Sequence, residues 1–243
     1  MTRPLVIAHR GASGECPENT LPAFERAIEE SADMIETDLH LSRDRVVVIH
    51  HDASLERLGA AGEIRDRTAA ELRMLNAAPG ASIAEAMPTF LDLLEGFGER
   101  MEFNLELKIG VEAPYEGLEE IVIEELEARG LISRMLLSCF EDGVLERLRA
   151  RSAAARLAVL ASPRAPAAIV ERATRVGAEA INPHCFLVDR DLVGSAHALG
   201  LAVYPYTANE LPEMTRLLDC GVDGVITNYP KRLRELVEAR GKT

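Results

Sequence analysis

Short apolar or β-branched runs alternate with amphipathic stretches of helical spacing along almost the whole chain. The runs predict strands at residues 5–9, 34–39, 46–51, 102–108, 134–138, 157–160, 178–182, 202–206 and 224–227. Between most of them lie helical segments. In residues 20–30, Leu21, Phe24, Ala27 and Ile28 mark one face, Asn19 or Thr20 is available as N-cap, and Pro22 falls in the first turn. Further helices fit residues 118–129, 143–149, 167–176, 191–199, 211–220 and 230–240. Strand–helix alternation implies a parallel sheet, and the number of units points to a closed (β/α)8 barrel. A doubly wound open sheet ranks second, because no Gly-rich dinucleotide fingerprint follows the first strand.

Two stretches break the rhythm. Residues 52–89 hold no convincing core strand, although Thr68-Ala-Ala-Glu71 resembles a capping box opening a short helix through Leu75. With Pro79, Gly80 and Pro88 behind it, this stretch reads as an insertion on one face of the barrel. The other break is the strand count, nine where a barrel needs eight. Between Leu39 and Val46 there is no room for a helical crossover, so a hairpin turning at Ser42-Arg43-Asp44-Arg45 is expected. A two-residue turn there pairs either Glu36 or Asp38 with His51. Both registers put Glu36, Asp38 and His51 on one face of the ribbon.

Composition narrows the function. A length of 243 suits one barrel domain over residues 1–243 with the insertion inside it, and 47% hydrophobic residues suffice for a full core. A formal charge of −13 argues against nucleic acid as partner and against stable docking on anionic membranes. A phosphate ligand would need local positive charge from a few side chains or a metal. Cys16, Cys139, Cys185 and Cys220 form no CxxC pair, and no signal-peptide core or long apolar run is present, so a cytoplasmic, reduced protein is expected. A homo-oligomer stays open.

The candidate chemistry lies at strand ends. In Glu36-Thr37-Asp38 two carboxylates project to one side, and Asn104-Leu105-Glu106-Leu107-Lys108 repeats the alternation with Asn, Glu and Lys together. Interior positions of a barrel strand stay polar where they line a site. Three carboxylates from two strands offer hard oxygens suited to Mg²⁺ or Ca²⁺, and Lys108 beside them needs an anion to face. His9-Arg10-Gly11 and His50-His51-Asp52 also close strands, where barrel active sites gather. Arg10 offers a fork for phosphate oxygens. Two histidines can exchange protons on opposite sides of a phosphorus. No P-loop or kinase signature is present. These residues together suggest metal-assisted phosphoester cleavage.

The chain resembles the glycerophosphodiester phosphodiesterases. The likeness lies in AHRGASGECPENTLPAFERAIEESADMIETDLHLSRDRVVVIHHD (8–52) and NLELK (104–108). Ser138-Cys139-Phe140, Asn182-Pro183, Tyr206-Thr207-Ala208-Asn209 and DGVITNYP (223–230) extend it over nearly the whole chain. The resemblance implies a TIM barrel with a small insertion and hydrolysis of small glycerophosphodiesters to glycerol 3-phosphate and an alcohol. It makes His9 and His51 the acid–base pair and Glu36, Asp38 and Glu106 the ligands of one divalent cation. Arg10 and Lys108 would hold phosphate. In the mechanism it implies, the substrate's own hydroxyl attacks and a cyclic phosphate is then hydrolysed, with the order of the two histidines open. Phe140, Phe186 and Tyr206 are expected at the rim, where Phe140 and Tyr206 would contact substrate. Departures from the family's habits are Arg45 after Asp44 at the hairpin, Tyr206 where a tryptophan is common, and Leu58-Gly59 where paired threonines are common. A lysophospholipase D-type activity and an inactive phosphodiester-binding module are the competing readings. His40, His184 and His197 read as structural or surface groups, and Glu15 and Glu18 as helix-start charges.

Overall fold

The computed structural model describes residues 3–111, 113–163 and 168–241. The strands are β1 (Leu5–His9), β2 (Met34–Leu41), β3 (Val47–Ile49), β4 (Glu102–Leu107), β5 (Leu136–Cys139), β6 (Arg156–Ala161), β7 (Ala180–Pro183), β8 (Ala202–Val203) and β9 (Gly224–Thr227). All but β3 run parallel, in the order β8-β7-β6-β5-β4-β2-β1-β9. The two ends of that order meet through Asp223 N–H donating to Val203 O (3.1 Å) and Ile226 N–H to Pro205 O (2.9 Å), which nearly closes the barrel. β8 is shorter than the expected 202–206, since Pro205 has no N–H to give a ladder.

The helices are α1 (Leu21–Glu29), α2 (Ala69–Arg73), α3 (Phe90–Phe97), α4 (Leu118–Ala128), α5 (Asp142–Arg151), α6 (Ile169–Val176), α7 (Arg190–Ala198), α8 (Leu211–Cys220) and α9 (Pro230–Gly241). Ala167, the expected first residue of the sixth helix, lies outside the described residues. α1 forms where its sequence says it should: Thr20 caps Ala23 N–H, Pro22 sits in the first turn, and Ala23, Phe24 and Ala27 face inward. Phe24 meets Phe97 and Phe103 edge-on, at ring centroids of 5.8 and 5.7 Å, locking α1 and α3 onto the sheet. α3 went unread in the sequence. Its signal is Thr89-Phe-Leu-Asp92, a capping box in which each end satisfies the other's backbone N–H.

Val48 of β3 and, beyond it, Leu55, Ile64, Leu72 and Met87 build a small core of their own, separate from the main core. The capping box at Thr68 and Glu71 opens α2 inside it, as expected.

The hairpin differs from its expected register. β2 and β3 pair Leu39 with Ile49 and Leu41 with Val47, and Ser42 N–H donates to Val46 O at 3.0 Å, so three residues rather than two make the turn. Arg45 takes the left-handed conformation that this longer turn needs (φ 62°). The odd loop length reverses the parity: His50, not His51, stands opposite Asp38, its N–H donating to Asp38 O at 3.2 Å. His51 still reaches the carboxylate side because regular pairing stops at Ile49.

Inward-facing side chains stack in layers along the parallel strands. The lower layer is an apolar plug of Ile7, Met34, Leu136, Ala158, Ala180, Tyr204 and Ile226. Two residues further along each strand come His9, Glu36, Ser138, Leu160, Asn182, Tyr206 and Asn228. The plug closes the barrel from below, so the next layer forms the bottom of a cup open at the C-terminal ends.

Candidate active site

That cup is a cavity of about 220 Å³ lined by His9, Arg10, Glu36, His51, Asn104, Glu106, Lys108, Ser138, Phe140, Leu160, Asn182, His184, Tyr206, Thr207 and Ile226. All the site residues read from the sequence except Asp38 line it. Asp38 lies just behind, fully buried between two cations.

β1, β2 and β4 carry the charge. Register alone places it: His9 is beside Glu36, Glu36 beside Asn104, and Asp38 beside Glu106. Carboxylate oxygens of Glu36, Asp38 and Glu106 all lie within 4.8 Å of one another. Lys108 Nζ is 2.9 Å from Asp38 Oδ1 and 2.6 Å from Glu106 Oε1, while Arg10 Nε is 3.2 Å from Asp38 Oδ2. Asn19 donates to Asp38 Oδ2 at 2.8 Å and accepts from Thr37 Oγ1 at 2.7 Å. Arg10 takes φ 55° as the chain turns off β1, and Gly11 follows at φ 81°. A Cβ on Gly11 would stand 2.6 Å from the Ala23 backbone, so only glycine lets β1 pass this close to α1.

Burial and crowding set the protonation. Burial, then the charges of Asp38 and Glu106, push Glu36 well above the usual carboxylate range. Burial also raises Glu106, against the pull of Lys108. At Asp38 burial is outweighed by Lys108 and Arg10, which hold its carboxyl well below the ordinary value. Two crowded carboxyls that resist ionising together are relieved by a dication, and three hard oxygen donors from rigid strands match the preferences of Mg²⁺ or Ca²⁺. The residues present fit such an ion.

Of the three histidines at the cavity, His9 and His51 are fixed from behind. His9 Nδ1 lies 2.7 Å from Asn228 Oδ1, and an amide oxygen can only accept, so Nδ1 carries the proton. Its Nε2 is then the reactive nitrogen, 3.8 Å from Glu36 Oε2. His51 Nδ1 lies 2.7 Å from Asp52 Oδ1, which likewise leaves Nε2 as its reactive atom. Burial, then the neighbouring Arg10 charge, lowers His9 to about 4, and burial with Lys108 lowers His51. Both shifts favour the neutral ring before substrate binds.

Several contributors were not legible in single motifs. Glu18, expected as a helix-start charge, instead pairs with Arg10 (2.9 Å) and Arg57 (2.6 Å), and Arg57 reaches Asp52 at 3.0 Å. A chain of ion pairs thus runs from the insertion to both Arg10 and the partner of His51. His40 is buried away from the cavity, with Nδ1 2.7 Å from Tyr115 Oη and Nε2 3.2 Å from His51 O, so it braces the His51 backbone. Asn209 Oδ1 accepts from Asn228 N–H at 2.9 Å and so steadies the residue behind His9. The rim across the cup is aromatic: Tyr206 meets Phe140 and His184 edge-on, and Phe186 packs on His184 while staying exposed. His197 pairs with Asp223 at 2.8 Å, away from the cavity. Cys139 is buried, its thiol donating to Leu107 O. Cys16 lies outside the cup.

The model of the glycerophosphoryl diester phosphodiesterase family matches residues 9–232. The chain belongs to that family. By membership this phosphodiesterase is a phosphoric diester hydrolase on a TIM barrel. It is 32% identical to a glycerophosphodiester phosphodiesterase of Caldanaerobacter subterraneus subsp. tengcongensis, over 98% of this chain and 100% of that one. A glycerophosphodiester phosphodiesterase of Bacillus subtilis is 30% identical over 94% of this chain and 84% of its own. Among solved structures, an Oleispira antarctica phosphodiesterase in complex with the product sn-glycerol-3-phosphate superposes with a TM-score of 0.84 at 31% identity, covering 97% of each chain. The glycerophosphodiester phosphodiesterase of Thermotoga maritima gives 0.79 at 25% identity, over 97% of this chain and 100% of that one. No helix among the described residues is long and apolar enough to cross a membrane.

Proposed function

We propose that this phosphodiesterase hydrolyses small glycerophosphodiesters to glycerol 3-phosphate and an alcohol, using one divalent cation and the pair His9 and His51. The observation that carries this reading is the cluster of three buried carboxylates, Glu36, Asp38 and Glu106, walled by Arg10 and Lys108 and facing two histidines with fixed Nδ1 protons. A bound Mg²⁺ or Ca²⁺ supplies positive charge to the phosphate oxygens. Arg10 and Lys108 add two fixed cations, which orient the diester and favour the extra negative charge of a five-bonded phosphorus.

His51 takes the proton of the attacking glycerol hydroxyl through Nε2, because the Asp52 carboxylate behind it stabilises the imidazolium that forms. His9, backed only by the neutral Asn228 amide, gives a proton to the departing alcohol. For this step His9 enters as imidazolium: the negative charge of the incoming phosphate favours its charged form, and Nε2 then carries the proton that passes to the alcohol. The glycerol oxygen bonds to phosphorus as the bond to the alcohol oxygen breaks. Water then opens the cyclic phosphate with the two histidines in exchanged roles.

A cavity of about 220 Å³ suits a glycerophosphate unit and not an acyl chain, which favours small diesters over a lysophospholipase D-type activity. The test is product identity. Metal-replete protein is incubated with glycerophosphocholine and, separately, with lysophosphatidylcholine. Glycerol 3-phosphate and free choline from the first alone is the expected result. Phosphocholine and glycerol, or preferred cleavage of the lysolipid, contradicts the proposal. No turnover of either substrate favours the inactive binding module.

A further inference from the structure

The charged groups of the wall are ion-paired with one another, and the neutral groups at the bottom of the cup have no partner among the described residues. Asn104 Oδ1 and Nδ2, Asn182 Oδ1 and Nδ2, and Ser138 Oγ are buried without a hydrogen-bond partner among the described residues. The three residues are 0%, 0% and 1% exposed, yet all line the cavity. Buried amides and hydroxyls without partners are costly and rare in protein interiors, so a set of three facing one space points to a ligand that supplies the missing bonds.

Their height in the barrel says which part of a ligand. Ser138 follows Leu136 of the apolar plug by two residues and precedes Phe140 of the rim by two; Asn182 stands likewise between Ala180 and His184. On β4, Asn104 lies two residues below Glu106, about 6.5 Å along the strand. The three therefore form a neutral floor beside Glu36 and below Asp38 and Glu106, closed from below by the plug. An anionic phosphate belongs at Arg10 and Lys108, above it. The leaving alcohol must depart and belongs toward the open rim. What remains for the floor is short, uncharged and able both to donate and to accept hydrogen bonds.

We infer that Asn104, Ser138 and Asn182 seat the terminal hydroxymethyl group of the substrate's glycerol unit. This deepens the phosphodiesterase reading and rests on it. The diester binds with its glycerol end down, and the enzyme reads glycerol closely while it leaves the alcohol unread at the mouth. The floor residues are specificity-determining, not acid–base groups.

A pair of diesters tests this in the metal-replete protein: glycerophosphocholine and 2-hydroxyethyl phosphocholine. The second keeps the attacking hydroxyl and the leaving choline but lacks the hydroxymethyl. The floor predicts kcat/KM lower for the analogue by roughly 100-fold, the order expected when a buried polar group loses its partner. Asn182→Leu and Asn104→Leu should lower the glycerol substrate's kcat/KM and leave the analogue's nearly unchanged, collapsing the ratio to a few-fold. Equal rates for the two diesters in the unaltered protein overturn the inference and leave the phosphodiesterase reading intact. Equal losses on both diesters in the variants also overturn it, since a floor that only holds water or supports the barrel behaves that way. Should neither diester be cleaved, the proposed function falls. Calorimetry then still decides the seat: tighter binding of glycerol 3-phosphate than of 2-hydroxyethyl phosphate supports it, and equal binding overturns it.

Discussion

The two halves of the cup are built on opposite plans. On β1, β2 and the upper end of β4 the charged groups are tied to one another: Asp38 holds Arg10, Lys108 and Asn19, and His9 and His51 are pinned through Nδ1. On β5 to β8 the inward positions are Ser138, Leu160, Asn182 and Tyr206, with no charge among them and buried polar atoms left unpaired. Pre-formed charge is what bond cleavage needs, because it costs no rearrangement when the phosphorus becomes more negative. Unpaired neutral groups are what recognition needs, because a ligand completes them. The first third of the chain, with Glu106 and Lys108, is thus read as the chemical half, and Asn104 with the later strands as the selective half.

The sharpest way to break this division is to remove its reactive groups. His9→Ala and His51→Ala should each lower kcat by about 10²–10⁴-fold with unchanged circular dichroism. Normal turnover in either would strike that ring from the chemical half. Asp38 tests whether the same wall also holds the fold. Asp38→Ala leaves Arg10 and Lys108 close together with less compensation, and unfolding in urea should show a loss of about 3 kcal/mol. Unchanged stability would mean that the buried ion pairs contribute nothing net.

A smaller effect comes from His40, which burial lowers from 6.5 to about 3. The unfolded chain takes up this proton first as pH falls. His40 therefore costs stability progressively from about pH 6.5 toward pH 3, near 1.4 kcal/mol per pH unit at most. Above pH 6.5 it has no such effect. Comparison with His40→Gln isolates it, because the carboxylates titrate in both proteins: the variant should show the shallower decline by urea unfolding at pH 7 and pH 5. Parallel declines would sink the assignment. The smallest effect is expected at Arg57, whose pairs with Glu18 and Asp52 are largely exposed. Arg57→Gln should lower kcat by no more than about fivefold. A loss of several hundredfold would place the insertion inside the chemical half.

The chemical half was the more legible in sequence, for a physical reason. Its charged residues recur at i and i+2 on apolar strands, so Glu36, Asp38, Glu106 and Lys108 were bound to share the barrel interior. Where the count between strands mattered, sequence reasoning slipped. A turn of three residues instead of two moved His50 opposite Asp38, and only the end of regular pairing brought His51 back. The groups behind the histidines were harder still. Asn228 meets His9 across more than two hundred residues of sequence, by closure of the barrel, and although it lies in the DGVITNYP stretch nothing local marks it as the partner of a histidine. Arg57 meets Asp52 and Glu18 because the insertion folds over the rim. The floor's role was hidden for another reason: Ser138 and Asn182 fall in stretches that carry the family resemblance, but they have no charge and each reads alone as an ordinary strand residue. α3 was missed although Thr89 and Asp92 signal it, because the Gly- and Pro-marked insertion runs straight into it.

Activity as a function of restored metal bears most directly on the proposed chemistry. The protein is stripped with EDTA, Mg²⁺ or Ca²⁺ is added back, and release of glycerol 3-phosphate from glycerophosphocholine is followed for the unaltered chain and for Glu106→Gln. Activity that vanishes on stripping, returns with the cation in the unaltered chain and stays low in the variant is the predicted result. Full activity of the stripped protein, or full recovery of Glu106→Gln at the same cation concentration, would contradict it.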